Sequence, residues 1–271
     1  MWISEPSWEN HRQLFEAAGF TVKSYAYYDP RTHGLDFAGM ERSLNAVAPG
    51  SIVVLHACCH NPTGVDLQKT QWETVLGIVR SRGLIPFLDL AYQGFAEGIE
   101  ADAYAARLFA GAMSPVFLSS SFSKSFSVYG ERVGALSVVT SSAEEAMRVL
   151  SNLKRVVRAN YSNPPTHGSQ IVATILGNPQ LRSLWERELG EMRERIKAMR
   201  KALVAGDSQA RAQLRLQLRP RAARHVLLLG PHQGAGAPAA RAVLDLHDRH
   251  RPRLRRGAHH EERRLRRRRD R

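Results

Sequence analysis

Residues 116–139 read VFLSSSFSKSFSVYGERVGALSVV, and this stretch decides the fold. Two short apolar runs, Val116–Ser119 and Ala135–Val139, flank a polar segment rich in hydroxyls. Runs this short, made largely of Val and Leu, fit strands buried on both faces. Between them Lys124 stands alone among Ser119, Ser120, Ser121 and Ser123, and Arg132 follows eight residues later. A lysine in such a setting can form a Schiff base with an aldehyde. Hydroxyls and a guanidinium can hold a phosphate. The segment therefore suits a phosphorylated aldehyde, and pyridoxal phosphate fits that description.

The same pattern recurs upstream. Ser51–Leu55 (SIVVL) and Leu84–Leu88 (LIPFL) read as buried strands, and Gln68–Arg82 and Asp102–Ala112 read as helices between strands. Strand–helix–strand alternation predicts an α/β fold with a parallel sheet, whose ligands sit beyond the carboxyl ends of the strands. From Asn178 to Val204 the pattern becomes one long helix. Leu181, Trp185, Met192, Ile196, Met199 and Leu203 recur at helical spacing and are expected to face a core. Glu191 and Arg195 have the i, i+4 spacing of an ion pair.

Other strand ends add chemistry. Asp89 directly follows the Leu84–Leu88 run, in LDLAYQGF (88–95). A carboxylate there could cap a helix. It could also keep a pyridine nitrogen protonated, so that the ring accepts electrons. Tyr92, three residues on, can present its hydroxyl to a ring oxygen. Asn61, in HACCHNPTG (56–64), sits in what could be a simple turn. Its amide could equally donate to a phenolate oxygen. The adjacent Cys58 and Cys59 read as small buried fillers. They cannot form a CxxC pair. His56 and His60 have no third ligand at sensible spacing, so no metal is expected. Arg158 is one basic residue among several, with Lys154 and Arg155 nearby. Ser-Phe-Ser-Lys (121–124) also matches the Ser-x-x-Lys of acyl-transfer enzymes, but Lys69-Thr70 is followed by Gln71 and no Ser-Asp-Asn occurs.

Composition divides the chain. Hydrophobic residues make up 43% of its 271 residues, enough for a core. No apolar run approaches the ~18–20 residues of a membrane span, and no signal segment opens the chain. A cytoplasmic protein is the expectation. The net charge of +14 is concentrated at the end. Residues 207–271 hold 18 arginines, no lysine and six acids, a balance of +12, against +2 for residues 1–206. That tail lacks Phe, Tyr, Trp, Met and Ile altogether. A disordered basic tail that binds nucleic acid is one reading. The genetic code offers another. His225–Gly230 can be written CAT GTT CTC CTA CTC GGG. A one-base shift turns this into Met-Phe-Ser-Tyr-Ser-Gly. Leu246–Leu254, under the same shift, gives Tyr-Thr-Ile-Asp-Thr-Gly-Arg-Val. A frameshift between about residues 205 and 214 is the expectation, and the DNA sequence across that point tests it.

Taken together, the segments SEPSWENH, YAYYDP, CCHNPTG, LDLAYQGF, SFSKSFSVYGERVGALSVV and RANYSNPPTHG resemble the class I (fold type I) pyridoxal-phosphate aminotransferases. The likeness spans residues 2–206 and is to the aspartate and aromatic-amino-acid subgroup, with details closer to the bacterial aromatic branch. It implies a three-layer, mostly parallel α/β large domain over 1–177, a long interdomain helix over 178–206, and an aberrant Arg-rich tail, irregular or disordered, over 207–271. It implies pyridoxal 5'-phosphate as cofactor, amino-acid and 2-oxo-acid substrates, and a homodimer. Within the site it implies that Lys124 forms the Schiff base and then shuttles a proton. Asp89 pairs with the pyridinium, and Asn61 and Tyr92 bind the phenolate oxygen. Ser121, Ser123 and Arg132 hold the phosphate. Arg158 reaches across the dimer to a distal substrate carboxylate. The resemblance also places about 130 residues before Met1 in the family, with the phosphate loop and the aromatic that stacks on the cofactor. The expectation is an aminotransferase by descent that is inactive and poorly stable as 271 residues. Its rivals are a nucleic-acid-binding protein and a non-catalytic remnant.

Overall fold

Six strands form one sheet in the computed structural model, which describes residues 1–210, with side-chain surroundings through Gly206. In chain order the elements are β1 (Trp2–Glu5), α1 (Glu9–Ala17), β2 (Lys23–Ala26), β3 (Tyr28–Asp29), β4 (Gly34–Leu35), α2 (Phe37–Asn45), β5 (Ile52–His56) and α3 (Lys69–Ser81). There follow β6 (Ile85–Leu90), α4 (Ile99–Asp102), α5 (Tyr104–Ala112), β7 (Val116–Ser121), a 3₁₀ turn (Tyr129–Glu131), β8 (Gly134–Val139), α6 (Ala143–Asn160), α7 (His167–Gly177) and α8 (Pro179–Ala210). The sheet order is β2-β1-β5-β6-β7-β8, and β3 pairs with β4 in a separate small ribbon. All neighbours in the large sheet run parallel except β7 and β8, which are antiparallel. The fold is thus the mostly parallel α/β sheet that the alternation predicts.

The core follows from the apolar runs. Val53, Val54, Leu55 and Leu88 are buried, and Met40, Leu44, Val75, Val79 and Phe109 bring the flanking helices onto the sheet. Each such side chain contributes about 1.5–3 kcal/mol when fully buried. The helix starts are set locally. The Asp36 carboxylate accepts from the Gly39 N–H at 2.8 Å, and the Ser142 hydroxyl accepts from the Glu145 N–H at 3.1 Å.

Two expectations need correction. β8 is not buried on both faces: Gly134–Ser137 are exposed, Leu136 at 49%, because β8 is an edge strand among the described residues. The long helix is the other. Trp185, Met192 and Ile196 pack on the core as expected, but Leu181, Met199 and Leu203 are exposed. Leu189, on the same stripe, is the side chain that is fully buried. Glu191 pairs with Arg187, at 3.9 Å, rather than with Arg195. The Arg-rich tail, the frameshift products and the nucleic-acid reading fall on residues beyond those described. Among the described residues no helix is long and apolar enough to cross a membrane.

The chain leaves β1 toward β2 on one side and toward β5, β6 and β7 on the other. In such sheets the reversal in strand order opens a crevice at the carboxyl ends of the strands. Register then lines up the chemistry: His56 on β5 faces Asp89 on β6, and Asp89 faces Ser119 on β7.

Candidate active site

A cleft of about 630 Å³ lies at this end of the sheet. It is lined by Asn61, Asp89, Tyr92, Ser121, Ser123, Lys124 and Arg132, which are seven of the eight residues singled out from the sequence. Each arrives from a strand end. Asn61 lies in the turn after β5, Asp89 is the penultimate residue of β6, and Tyr92 is the second residue of the loop after β6. Ser121 ends β7, and Ser123 and Lys124 are the second and third residues after it. Arg132 terminates the 3₁₀ turn in the left-handed conformation, φ 55°.

Lys124 Nζ stands 4.8 Å from the centre of the Tyr92 ring. Burial lowers its pKa, and the nearby Arg132 adds to this, while Asp89 opposes it. The amine is thereby pushed toward its neutral, nucleophilic form. For Asp89, burial pushes the carboxyl up, but the His11 hydrogen bond and the charges of His56, His11 and Lys124 outweigh it. They hold the carboxyl below its ordinary value. Burial, then Asp89, raises the Tyr92 hydroxyl, and a hydrogen bond from Asn61 works against them. The loop that carries Tyr92 is anchored by the buried Asp102. Its carboxylate accepts from the N–H groups of Gly94, Ala96 and Glu97 at 2.8, 3.0 and 2.9 Å.

On the phosphate side, the Ser121 hydroxyl accepts from the Ser123 N–H at 3.3 Å. Arg132 Nη1 donates to the Tyr129 carbonyl at 2.9 Å. Ser123 is buried and Arg132 exposed. Arg158 is the exception. It lies in the last turn of α6, exposed, bonded to Ser162 and outside the cleft.

The structure adds residues that the motifs alone did not single out. Trp8 and His11 line the cleft from the start of α1, their rings edge to face at 5.2 Å. An aromatic wall is therefore present within residues 1–206, where the family likeness had put the stacking aromatic upstream. His11 Nε2 lies 3.0 Å from Asp89 Oδ2. Its other nitrogen, Nδ1, is 3.0 Å from Ser7 Oγ and 3.4 Å from His56 Nε2. The Asn61 N–H donates to His56 Nδ1 at 3.0 Å, which puts the proton of His56 on Nε2. His56 is buried, and burial first, then its histidine neighbours, holds its pKa well below the ordinary value. A chain of hydrogen bonds thus runs from Asn61 through His56 and His11 to Asp89.

Sequence spacing gave His56 no metal-ligand partners, but the fold brings His11 and Asp89 to it, with ligand atoms within 4.8 Å of one another. The hydrogen bonds among them account for this cluster. Its signal in the sequence was the histidine of SEPSWENH, a buried polar residue on the apolar side of α1.

The donor set suits pyridoxal phosphate. It offers one amine of lowered pKa, one carboxylate held ionised, two polar side chains facing each other, and a guanidinium beside hydroxyls. Comparison with known proteins points the same way. The chain is 63% identical over 202 residues to an aspartate aminotransferase of Pseudomonas aeruginosa, covering 74% of this chain and 51% of that protein. It is 53% identical over 204 residues to an aromatic-amino-acid aminotransferase of Escherichia coli, covering 75% and 51%. A crystal structure of the aromatic-amino-acid aminotransferase of Burkholderia pseudomallei, covalently bound to pyridoxal phosphate, superposes with a TM-score of 0.77 at 63% identity. That match covers 79% of this chain and 53% of the other. The chain spans about half the length of the curated relatives it matches. The family described as aminotransferase class I and II matches residues 1–251, and the chain belongs to that family.

Proposed function

We propose that the cleft binds pyridoxal 5'-phosphate and serves transamination between an amino acid, aromatic or aspartate, and 2-oxoglutarate. The observation that carries this reading is the convergence of Lys124, Asp89, Tyr92, Asn61 and Arg132 in one cleft. When bound, the cofactor supplies an aldehyde carbon that takes up an amine and a pyridinium ring that withdraws electrons.

The chain's own residues supply the rest. Lys124 Nζ is the amine that holds the aldehyde. As a free amine beside the bound substrate it would be the base that takes a proton from the substrate α-carbon and returns it. Its lowered pKa suits both tasks. Asp89 holds the proton on the pyridine nitrogen, and His11 keeps Asp89 ionised for this. Asn61 and the Tyr92 hydroxyl donate to the phenolate oxygen. Ser121, Ser123 and Arg132 hold the phosphate, where the guanidinium provides paired donors. Trp8 walls the cleft with an aromatic face. Arg158, exposed on α6, would bind the distal carboxylate of a dicarboxylic substrate in a partner subunit's cleft. A homodimer acting in the cytoplasm belongs to the same proposal.

Arg132 is the one arginine among the described residues lining the cleft. It is assigned to the phosphate, and no second guanidinium lines the cleft among the described residues. Incubation with pyridoxal phosphate, borohydride reduction and peptide mass analysis test the reading. A label on Lys124 that Lys124→Ala removes is the expected result. No label, or a label elsewhere, overturns it.

A further inference from the structure

Asn61 is delivered by a turn, and a carboxylate outside the cleft holds that turn. Asp66 accepts from the Cys59 N–H through Oδ2 at 2.7 Å and from the His60 N–H through Oδ1 at 2.8 Å. These are the two peptide groups immediately before Asn61. Cys59 is left-handed, φ 51°, a conformation that non-glycine residues keep only when the surroundings impose it. The His60 ring is fixed at both nitrogens, by Ser4 Oγ at 2.8 Å and Thr63 Oγ1 at 2.8 Å. It stacks on Tyr27 at 3.8 Å. The Asn61 N–H ends on His56 Nδ1. From Cys59 to Asn61, every backbone donor thus meets a carboxylate or a ring nitrogen. The Asn61 side chain is left facing Tyr92 and the cleft.

We propose that Asp66 is the positioning residue for Asn61: its carboxylate imposes the left-handed turn that aims the Asn61 amide at the phenolate oxygen of the bound cofactor. The proposal rests on the pyridoxal-phosphate reading. Asp66 is not among the residues lining the cleft, so it acts through Asn61. A carboxylate is suited to the task because both of its oxygens accept and neither donates. Asp66→Asn keeps the shape but turns an NH₂ group toward a backbone N–H.

The test uses the full 271-residue chain with pyridoxal phosphate. The pH midpoint of the visible absorption band is read for the wild type, Asn61→Ala, Asp66→Asn, the double variant and Asp29→Asn. Asp29 is the control, since it accepts from the Arg31 N–H at 2.9 Å in an exposed turn away from the cleft. Asp66→Asn should move the midpoint in the direction that Asn61→Ala moves it, by at least half as much. The double variant should go no further than Asn61→Ala, and Asp29→Asn should leave the midpoint in place. A wild-type midpoint in Asp66→Asn, while Asn61→Ala shifts, overturns the proposal, as does a double variant that sums the two shifts. Should Asp66→Asn not fold, Asp66→Glu, which keeps both acceptors on a longer arm, is read the same way. If the wild type shows no band, or Asn61→Ala leaves it unmoved, the cofactor reading has failed instead. Amide exchange without cofactor then decides. Asp66→Asn should speed exchange at Cys59, His60 and Asn61 at least tenfold relative to Ile52–His56, and unchanged exchange there overturns the positioning role.

Discussion

His11 and Asp89 are 78 residues apart in the chain and 3.0 Å apart in the fold. The pairing depends on the parallel neighbours β1, β5 and β6, which carry the start of α1 over the carboxyl end of β6. His11 donates through Nε2 because the ionised Asp89 carboxylate can only accept, and its Nδ1 lies 3.0 Å from Ser7 Oγ. The carboxylate that faces the cleft is thus supported from behind by a ring that Ser7 and His56 hold in place one layer further out.

Replacing His11 should therefore weaken the cofactor site without dismantling it. A hydrogen bond to a charged group contributes about 1.5–3 kcal/mol. Pyridoxal phosphate should bind His11→Ala about tenfold more weakly at neutral pH, as read by equilibrium titration. The loss should deepen as pH falls, because Asp89 without His11 is protonated at a higher pH than in the wild type. Equal affinities at pH 7 and at pH 5.5 would show that His11 does not support Asp89.

The buried histidines predict how stability depends on pH. Burial is the first cause holding His60 at about 3 and His56 well below the ordinary value. Both values are depressed relative to an unfolded histidine near 6.5. The unfolded chain then binds more protons between the two values, so stability rises with pH across that window. The stabilisation is complete above the unfolded value and is lost as pH falls toward the folded one. Each such proton gives a slope of about 1.4 kcal/mol per pH unit. Urea midpoints should fall from pH 7 to pH 4, and His60→Gln should flatten that slope by about one proton. A variant with the wild-type slope would refute the assignment.

Much of this was legible in the sequence because it is local. The apolar runs of β5, β6 and β7 announce strands, and Asn61, Asp89 and Lys124 lie within a few residues of their carboxyl ends. What was not legible is what depends on neighbours in space. Apolar runs do not encode direction, so the antiparallel β8 and its exposure as an edge came only with the sheet order. The apolar stripe of α8 was visible, but its burial was not. Trp185, Leu189, Met192 and Ile196 touch the core, while the stripe continues into Met199 and Leu203 where the core has ended. His11 carries no local sign of its partner, because β1 and β6 meet only through β5. The role of Arg158 stays a proposal for the same reason, since a single chain leaves it outside the cleft.

The phosphate assignment predicts a difference between two ligands. If Arg132 holds the phosphate, Arg132→Ala removes one or two charge-assisted hydrogen bonds. Affinity for pyridoxal phosphate should drop about ten- to a hundredfold, at about 1.4 kcal/mol per tenfold. Affinity for pyridoxal, which lacks the phosphate, should stay within about twofold by the same titration. Equal losses for both ligands would place Arg132 elsewhere in the site or make its role structural.

Gly94 joins the loop after Tyr92 to α8, and the contact is close enough to predict a stability cycle. Gly94 has φ +94°, and a Cβ there would lie 2.4 Å from Leu189 Cδ2 and 3.0 Å from Leu189 Cγ. Gly94→Ala meets two penalties, a backbone conformation foreign to alanine and an overlap with a fully buried leucine, each about 1–3 kcal/mol. Leu189→Ala leaves a cavity worth about 2–5 kcal/mol. In the double variant the new methyl group enters the space that Leu189 vacated, so the overlap term vanishes while the backbone term stays. Urea unfolding should therefore show a double variant at least about 1 kcal/mol more stable than the sum of the singles predicts. Strict additivity would mean that the loop withdraws from α8 rather than packing against it. The Arg193 Nη1 bond to the Gly94 carbonyl, 3.1 Å in length, would then be lost in Gly94→Ala as well.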